Sequence, residues 1–321
     1  VSPSAAAVPD SAARSGARSG ADRDAQPVSH GHLNESASAP VTIERLWPGE
    51  GAAVFVRHYW TPRWRLVPGA SLRQQVLEYP TANLVFEQHT TALHLARRGL
   101  SVKTLRGDGW AFGAMLRPGV ARGLAGVSVR SLPSAVPLAD GAGVADGVGV
   151  ADAAGGYQHH ALLLPGVDAL KGRIHDAMRR GDDRAAVEAF EEWTATLPAP
   201  GAEARMVDAI VAAVETDRTI TRVEQLADRF GLGVRHLQRL VAGHIGFGPK
   251  WLIQRYRLQE AAAALRSPAP PQLAELAAEL GYADQAHFGR EFKAVIGSTP
   301  GTYLAETTRG RDGARPLTES V

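Results

Sequence analysis

The spacing of apolar positions divides this chain into regions. Residues 1–40 are Ala, Ser, Gly, Asp and Arg with almost no large apolar side chain. They cannot bury enough surface to offset chain entropy, so a disordered tail is expected there. From Val41 short apolar bursts follow one another: AAVFVRHYW, a break at TPRW, then RQQVLEYP, TANLVFEQ, TALHLA, LSVKTL and WAFGAML. Their spacing of roughly 8 to 12 residues, with β-branched and aromatic content, predicts an antiparallel sheet or small barrel over 41–137. LADGAGVADGVGVADAAGG, in which GVADG and GVADA echo each other, reads as a Gly/Ala-rich flexible loop over 138–156. The apolar residues of VDALKGRIHDAMRR, DDRAAVEAFEEWTATL and AEARMVDAIVAAVET then fall three or four apart, with Gly or Pro between the runs. That period predicts a helical linker over 157–216, helices throughout 217–306 and a frayed tail over 307–321. The fold class expected is α+β, with a β-rich N-terminal domain, a helical linker and an all-α C-terminal domain.

Inside the helical half one pattern occurs twice. In VEQLADRFGLGVRHLQRLV, Ala227 is followed four residues later by Gly231 and six beyond that by Leu237. A small Ala lets a second helix approach, Gly supplies the left-handed turn, and the later apolar residue locks the second helix onto the first, as in a helix-turn-helix. Arg235, His236, Gln238 and Arg239 then lie on the outward side of the second helix, with residue types suited to base edges in a major groove. LAELAAELGYADQAHFGREFKAV repeats the pattern with Ala277, Gly281 and Phe288. Its outward face holds Gln285, His287 and Arg290, while Tyr282, Phe288 and Phe292 are expected inside. Between the motifs, GPKWLIQRYRLQEAAAALR starts a helix at Pro249 that runs to Arg266. At 1.5 Å per residue it is a rod about 27 Å long, comparable to the ~34 Å between successive major grooves.

Charge sharpens this picture. The 321 residues contain 35 basic and 33 acidic side chains, a net +2, so an anionic partner has to be met by a local patch. Residues 231–259 are such a patch: Arg235, Arg239, Lys250, Arg255 and Arg257 occur there without one Asp or Glu. The chain has no cysteine, which excludes disulfides, thiolate metal sites and thiol nucleophiles, and fits a reducing cytoplasm. No run of about 18 apolar residues and no signal-peptide pattern is present, so a cytoplasmic protein without a membrane segment is expected.

Residues 218–306 resemble the C-terminal DNA-binding domain of the AraC/XylS family of transcription regulators. The resemblance is carried by LADRFGLGVRHLQRLV, by GFGPKWLIQRYRL and above all by LAAELGYADQAHFGREFKAVIGSTPGTYL, where Phe288, Phe292, Lys293, Gly297, Thr299, Pro300 and Tyr303 match the family signature. It implies base reading by Arg235, Gln238, Arg239, Gln285, His287 and Arg290, and phosphate contacts at Lys250, Lys293 and Thr299. Ala227, Gly231, Leu237, Ala277, Gly281, Phe288, Phe292 and Pro300 would hold the two motifs together. Gly289 stands where some members carry a polar reader. RHYWTPRW, YPTANLVFE and GWAFGAMLRPG resemble the sensor half of one subgroup, which implies a cupin-like barrel and linker helices serving effector binding or dimerisation. Double-stranded DNA is the implied partner. The family pattern also allows a small-molecule effector of unknown site, RNA polymerase and a second subunit, and favours activation over repression.

Other chemistry finds little footing. Trp60, Trp64, Trp110, Tyr59 and Phe86 lie at strand spacing and are expected in the core rather than in a ligand cage. His58, His89, His94, His159 and His160 invite a metal, but Glu87, His89 and His94 lack the close His-x-His spacing of a strand-borne site. Neither a nucleophile elbow nor a phosphate-cradling GxxxxGK[ST] loop occurs. No catalytic residue, metal or cofactor is expected. The competing readings are a metal-dependent cupin-like enzyme and a protein-binding adaptor.

Overall fold

The computed structural model describes residues 40–140, 149–152 and 160–312. The tail expected before Pro40, much of the Gly/Ala-rich segment, His159 and the residues after Asp312 lie outside the described residues. The described residues form ten strands: β1 (Val41–Leu46), β2 (Val56–Arg65), β3 (Ser71–Val76), β4 (Asn83–Glu87), β5 (Thr91–His94), β6 (Ser101–Arg106), β7 (Asp108–Leu116), β8 (Ala135–Asp140), β9 (Gly149–Asp152) and β10 (His160–Leu164). Eight form one sheet in the order β1-β2-β7-β4-β5-β8-β10-β9, and β3 pairs with β6 as a separate antiparallel ribbon. Only β8 and β10 run parallel within the large sheet. Among the described residues ten α-helices follow or interleave: α1 (Val120–Ala125), α2 (Val167–Arg180), α3 (Asp183–Thr194), α4 (Ala202–Thr216), α5 (Val223–Arg229), α6 (Val234–Ile245), α7 (Pro249–Leu265), α8 (Leu273–Glu279), α9 (Gln285–Ile296) and α10 (Pro300–Asp312). The molecule is α+β, with a β-sheet N-terminal region and a helical C-terminal region.

Three sequence expectations are corrected. β2 runs on through Thr61 and Pro62 instead of breaking at TPRW: both residues keep their partners on β1, and only the pairing with β7 lapses there. Proline donates no hydrogen bond, and the ladder is interrupted on the side where a donor is lacking. The segment assigned to a flexible loop over 138–156 and a helical linker from 157 includes the end of β8, all of β9 and, after it, β10. In β10 Leu162 and Leu164 are buried while Ala161 and Leu163 are half-buried, so a short apolar run that carries no clear period from sequence alternates once it lies beside β8. The tail expected from 307 begins as helix, because α10 continues to Asp312.

One face of the sheet is filled by α2 and α3. Phe190 of α3 packs against Tyr59, Phe86 and Phe112 with ring centroids 5.6, 6.2 and 5.8 Å away, and Trp193 adds its ring at 5.3 Å. Each such ring fully buried contributes about 1.5–3 kcal/mol. Of the aromatics expected in the core, Tyr59, Phe86 and Trp110 are buried, whereas Trp60 and Trp64 are half-buried.

The helical region is docked on the sheet region through α7. Arg255, 2% exposed, donates from Nη2 to the carbonyl oxygens of Arg97 and Arg98, the latter at 2.8 Å, and stacks over Trp251 at 4.7 Å. One turn on, Gln259 donates to the Leu77 carbonyl at 3.0 Å. Arg57 of β2 forms a two-pronged bond to Glu215 of α4 at 2.8 and 2.9 Å and reaches the Tyr256 hydroxyl. Tyr79 packs edge-on to Tyr256. A second seam joins α1 to α4, where a Cβ on Gly119 would lie 2.1 Å from the Ala204 carbonyl oxygen, so no side chain fits. Here Asp208 accepts the Gly119 N–H at 2.9 Å, and burial outweighs Arg117 and Arg57 to push its carboxyl up to about 6.

Replacing Arg255 with alanine removes two charge-assisted bonds across the junction. We expect a loss of about 3 kcal/mol, and separation of one denaturation transition into two as the regions uncouple. A single transition at the parent's midpoint in urea would contradict this. Between its ordinary value of 3.8 and about 6, Asp208 holds a proton in the folded chain that the unfolded chain has lost, so its contribution to stability falls as pH rises through that window. Asp208→Asn keeps an acceptor for Gly119. It is expected to flatten that slope and to gain about 1–3 kcal/mol at pH 7.5, measured by thermal denaturation across pH.

Candidate nucleic-acid interface

The first motif is α5, a turn and α6. The side-chain Oε1 of Gln225 accepts the backbone N–H groups of Thr221 and Arg222 at 3.0 and 2.9 Å and fixes the start of α5. Ala227 is buried, Gly231 has φ +62°, and Leu237 is fully buried, so the three positions that define the pattern occupy the contact, the turn and the lock. Leu226, Leu240, Val241 and Ile245 complete the packing. Arg235, His236, Gln238 and Arg239 are all exposed on α6, with an Arg239 nitrogen 3.4 Å from His236 Nδ1. The far end of α6 is covered by α1 and the 3-10 turn Val129–Ser131, which leaves the Arg235 end open.

The second motif, α8, a turn and α9, repeats this construction. Ala277 is buried, Gly281 has φ +72°, and Phe288 and Phe292 are fully buried beside Tyr282 and Tyr303. Gln285 and Arg290 are exposed, as expected for readers. His287 is only partly so: its ring stands edge-on to Tyr282 at 5.4 Å, and Nε2 lies 3.5 Å from Glu291. Gly289 presents no side chain. The sequence reading passed over Asp284, which caps α9 by accepting the His287 N–H at 2.6 Å. A lone Asp just before an apolar-periodic run is the signal that identifies such a cap. Asp284 and Glu291 offset Arg290 and Lys293, whereas α6 has two arginines and no acid. The first face is therefore the more positive one.

Helix α7 starts at Pro249, and the α6 and α7 N-caps, Gly233 and Gly248, make no side-chain cap bond. Bare N–H groups at a helix start attract phosphate oxygens, and Lys250 is exposed on the first turn of α7. Lys293 is exposed on α9. Thr299 is exposed ahead of buried Pro300, and its Oγ1 accepts the Thr302 N–H at 3.2 Å. Arg255 and Arg257, counted in the acid-free patch, face inward. Arg255 holds the junction, and Arg257 donates to the Thr221 carbonyl and lies over the Tyr282 ring.

A family described as a helix-turn-helix domain matches residues 226–306, which span both motifs and α7. The C-terminal region is an AraC-type helix-turn-helix domain. A domain of unknown function matches residues 44–136 in the sheet region. An uncharacterized HTH-type transcriptional regulator of Haemophilus influenzae is 31% identical over 99 residues, which are 31% of this chain and 33% of that protein. The HTH-type transcriptional activator RhaS of Escherichia fergusonii is 34% identical over 91 residues, 28% of this chain and 31% of RhaS. The chain thus spans about a third of the length of these relatives. A crystal structure of ToxT from Vibrio cholerae with an unsaturated fatty acid bound aligns over 84% of this chain and 96% of its own, at 10% identity and a TM-score of 0.36, too loosely to bear on function.

Among the described residues no three His, Asp or Glu side chains gather as metal ligands, and no helix is long and apolar enough to cross a membrane.

Proposed function

We propose that this chain is a cytoplasmic, sequence-specific DNA-binding transcription regulator that inserts α6 and α9 into two successive major grooves. The observation that carries the reading is the duplication itself. Two motifs with the same buried Ala, left-handed Gly and buried lock each present a polar face, on either side of one helix. A single such motif occurs in many folds, whereas two joined by one helix match the way recognition helices enter successive major grooves about 34 Å apart. Arg235, Gln238 and Arg239 on α6, and Gln285, Arg290 and His287 on α9, are the proposed base readers. The α6 and α7 N-termini, Lys250, Lys293 and Thr299 are the proposed phosphate contacts. Ala227, Gly231, Leu237, Ala277, Gly281, Phe288, Phe292 and Pro300 hold the two motifs in shape. Activation is the proposed direction, in keeping with RhaS, a named activator that shares this domain. The sheet region would receive a small-molecule effector or a second subunit.

The test is selection of genomic fragments with the purified chain, then titration of the selected site and a scrambled one at several salt concentrations. Arg235→Ala and Arg239→Ala are each expected to cost about 1–3 kcal/mol at the selected site and to relax one base preference. Lys250→Ala should weaken both sites alike and reduce the salt slope by about one. Equal affinity of the parent chain for both sites, or unchanged binding in all three variants, would end this reading.

A further inference from the structure

Three stretches without a single Asp or Glu contribute to the place where α6 turns into α7. Residues 88–107 include Arg97 and Arg98, residues 109–139 include Arg117, Arg122 and Arg130, and residues 231–259 are the basic patch of the helical region. The first two stretches belong to the sheet region and are remote from the third in sequence. In a chain of net charge +2, positive charge is therefore concentrated by the fold as well as by the sequence.

The meeting point is the elbow Gly246-Phe247-Gly248. Gly246 has φ +90°, and a Cβ added there would lie 3.6 Å from Val129 Cγ1, so the turn Val129–Ser131 rests against it. At Phe247, the next residue, the Arg98 guanidinium lies 5.4 Å from the ring centroid, and Phe247 in turn stacks on Trp251 at 4.2 Å. Arg255 bonds the carbonyl oxygens of Arg97 and Arg98 and so fixes the turn that carries Arg98. Lys250 is exposed on the first turn of α7, just past the elbow.

The charges at the elbow are not spent inside the protein. Arg98 and Arg130 are exposed, and neither makes an ion pair or a side-chain hydrogen bond among the described residues. Contact with the Phe247 ring uses none of the N–H donors of Arg98. The neighbouring arginines are engaged: Arg122 pairs with Glu203, Arg117 donates to the Ala53 carbonyl, and Arg97 has the buried Glu78 carboxyl beside it.

The length of α6 sets where the two free groups would lie on a duplex. Its 12 residues make a helix about 18 Å long. A major groove is about 12 Å wide, so with the Arg235 end on base edges the far end of α6 reaches the phosphates that line the groove. The elbow follows at once, with Arg98 on one side and Arg130 on the other.

We propose that Arg98 and Arg130 contact DNA phosphates beside Lys250, so that the sheet region forms part of the DNA interface. A guanidinium suits the task because its fork of donors matches phosphate oxygens. Both side chains belong to the sheet region, so the setting of that region enters DNA affinity directly. The inference deepens the proposed function and rests on its placement of α6 in a major groove.

The experiment measures the affinity of the full chain for the selected and the scrambled site from about 50 to 200 mM salt. Arg98→Ala/Arg130→Ala is expected to weaken both sites alike, by about tenfold or more, and to lower the slope of log affinity against log salt by about two. Arg179→Ala/Arg180→Ala removes the same charge from exposed positions at the end of α2, a helix that packs on α3 and the sheet, and should bind like the parent. If the parent binds neither site, or Lys250→Ala binds like the parent, the placement of α6 and α7 fails and this inference fails with it. With those two behaving as expected, an unchanged slope in Arg98→Ala/Arg130→Ala, or a slope lowered equally by Arg179→Ala/Arg180→Ala, overturns this inference alone. Weaker binding at an unchanged slope would mean that Arg98 only steadies the elbow, and it overturns the inference as well.

Discussion

The structure turns on a guanidinium group that water hardly reaches. Arg255 lies at the junction of the sheet and helical regions, and burial draws its pKa down to about 10 despite the nearby Glu78 carboxylate. Holding a charge there is costly unless its donors are used. Two backbone carbonyls and the face of Trp251 use them, while Nη1 finds no partner. Opposite, Glu78 is pushed up by burial, accepts from Ser101 with one oxygen and leaves the other unpartnered. A junction built only for stability would bury leucines at these positions. Arginine holds the 97–98 turn in one register, because carbonyl acceptors have direction and an apolar contact has none.

That register matters because both helix-turn-helix units take part of their core from the sheet region. Leu77 enters the cluster of Phe288 and Phe292, and Tyr79, two residues later, enters the cluster of Leu237 and Leu252. Glu78 lies between them. A single short segment leaving β3 therefore wedges along α7 and contributes to each motif separately. α1 and the 129–131 turn brace the far end of α6 as well. α6 and α9 are set by more than the rod between them.

The sequence made the duplicated motif legible because its constraints are local. A left-handed turn demands Gly at 231 and 281, close helix contact demands Ala at 227 and 277, and each demand acts within about ten residues. The helices at 167–180 and 202–216 could be read for the same reason. What stayed hidden depends on distant partners. β10 is a strand only because β8 lies beside it, and Pro62 is tolerated in β2 because the ladder beside it is interrupted on one side only. The acid-free basic patch was misleading in part. Arg255 and Arg257 share its composition with Arg235 and Arg239, yet α7 turns them inward, and composition carries no information about which way a helix faces. Asp284 was legible as a cap and was overshadowed by the basic residues after it.

The charge difference between the two motifs gives their relation to the rest of the molecule a physical sense. α6 is the more positive and also the more firmly braced, while α9, tempered by Asp284 and Glu291, is tied to the sheet region mainly through Leu77, Leu100 and α7. If α6 supplies most of the proposed phosphate attraction, α9 adds affinity only when α7 holds it at the second groove, and each degree of misalignment costs contacts there first. A change at the junction then acts on DNA binding through the weaker motif. It needs to shift the setting of α9 by only the few kcal/mol that its contacts contribute, since a ligand moves an equilibrium by no more than its differential affinity for the two states. Buried directional bonds at Arg255 and Gln259 bear on such a shift, because a carbonyl acceptor tolerates little change in the direction of its donor.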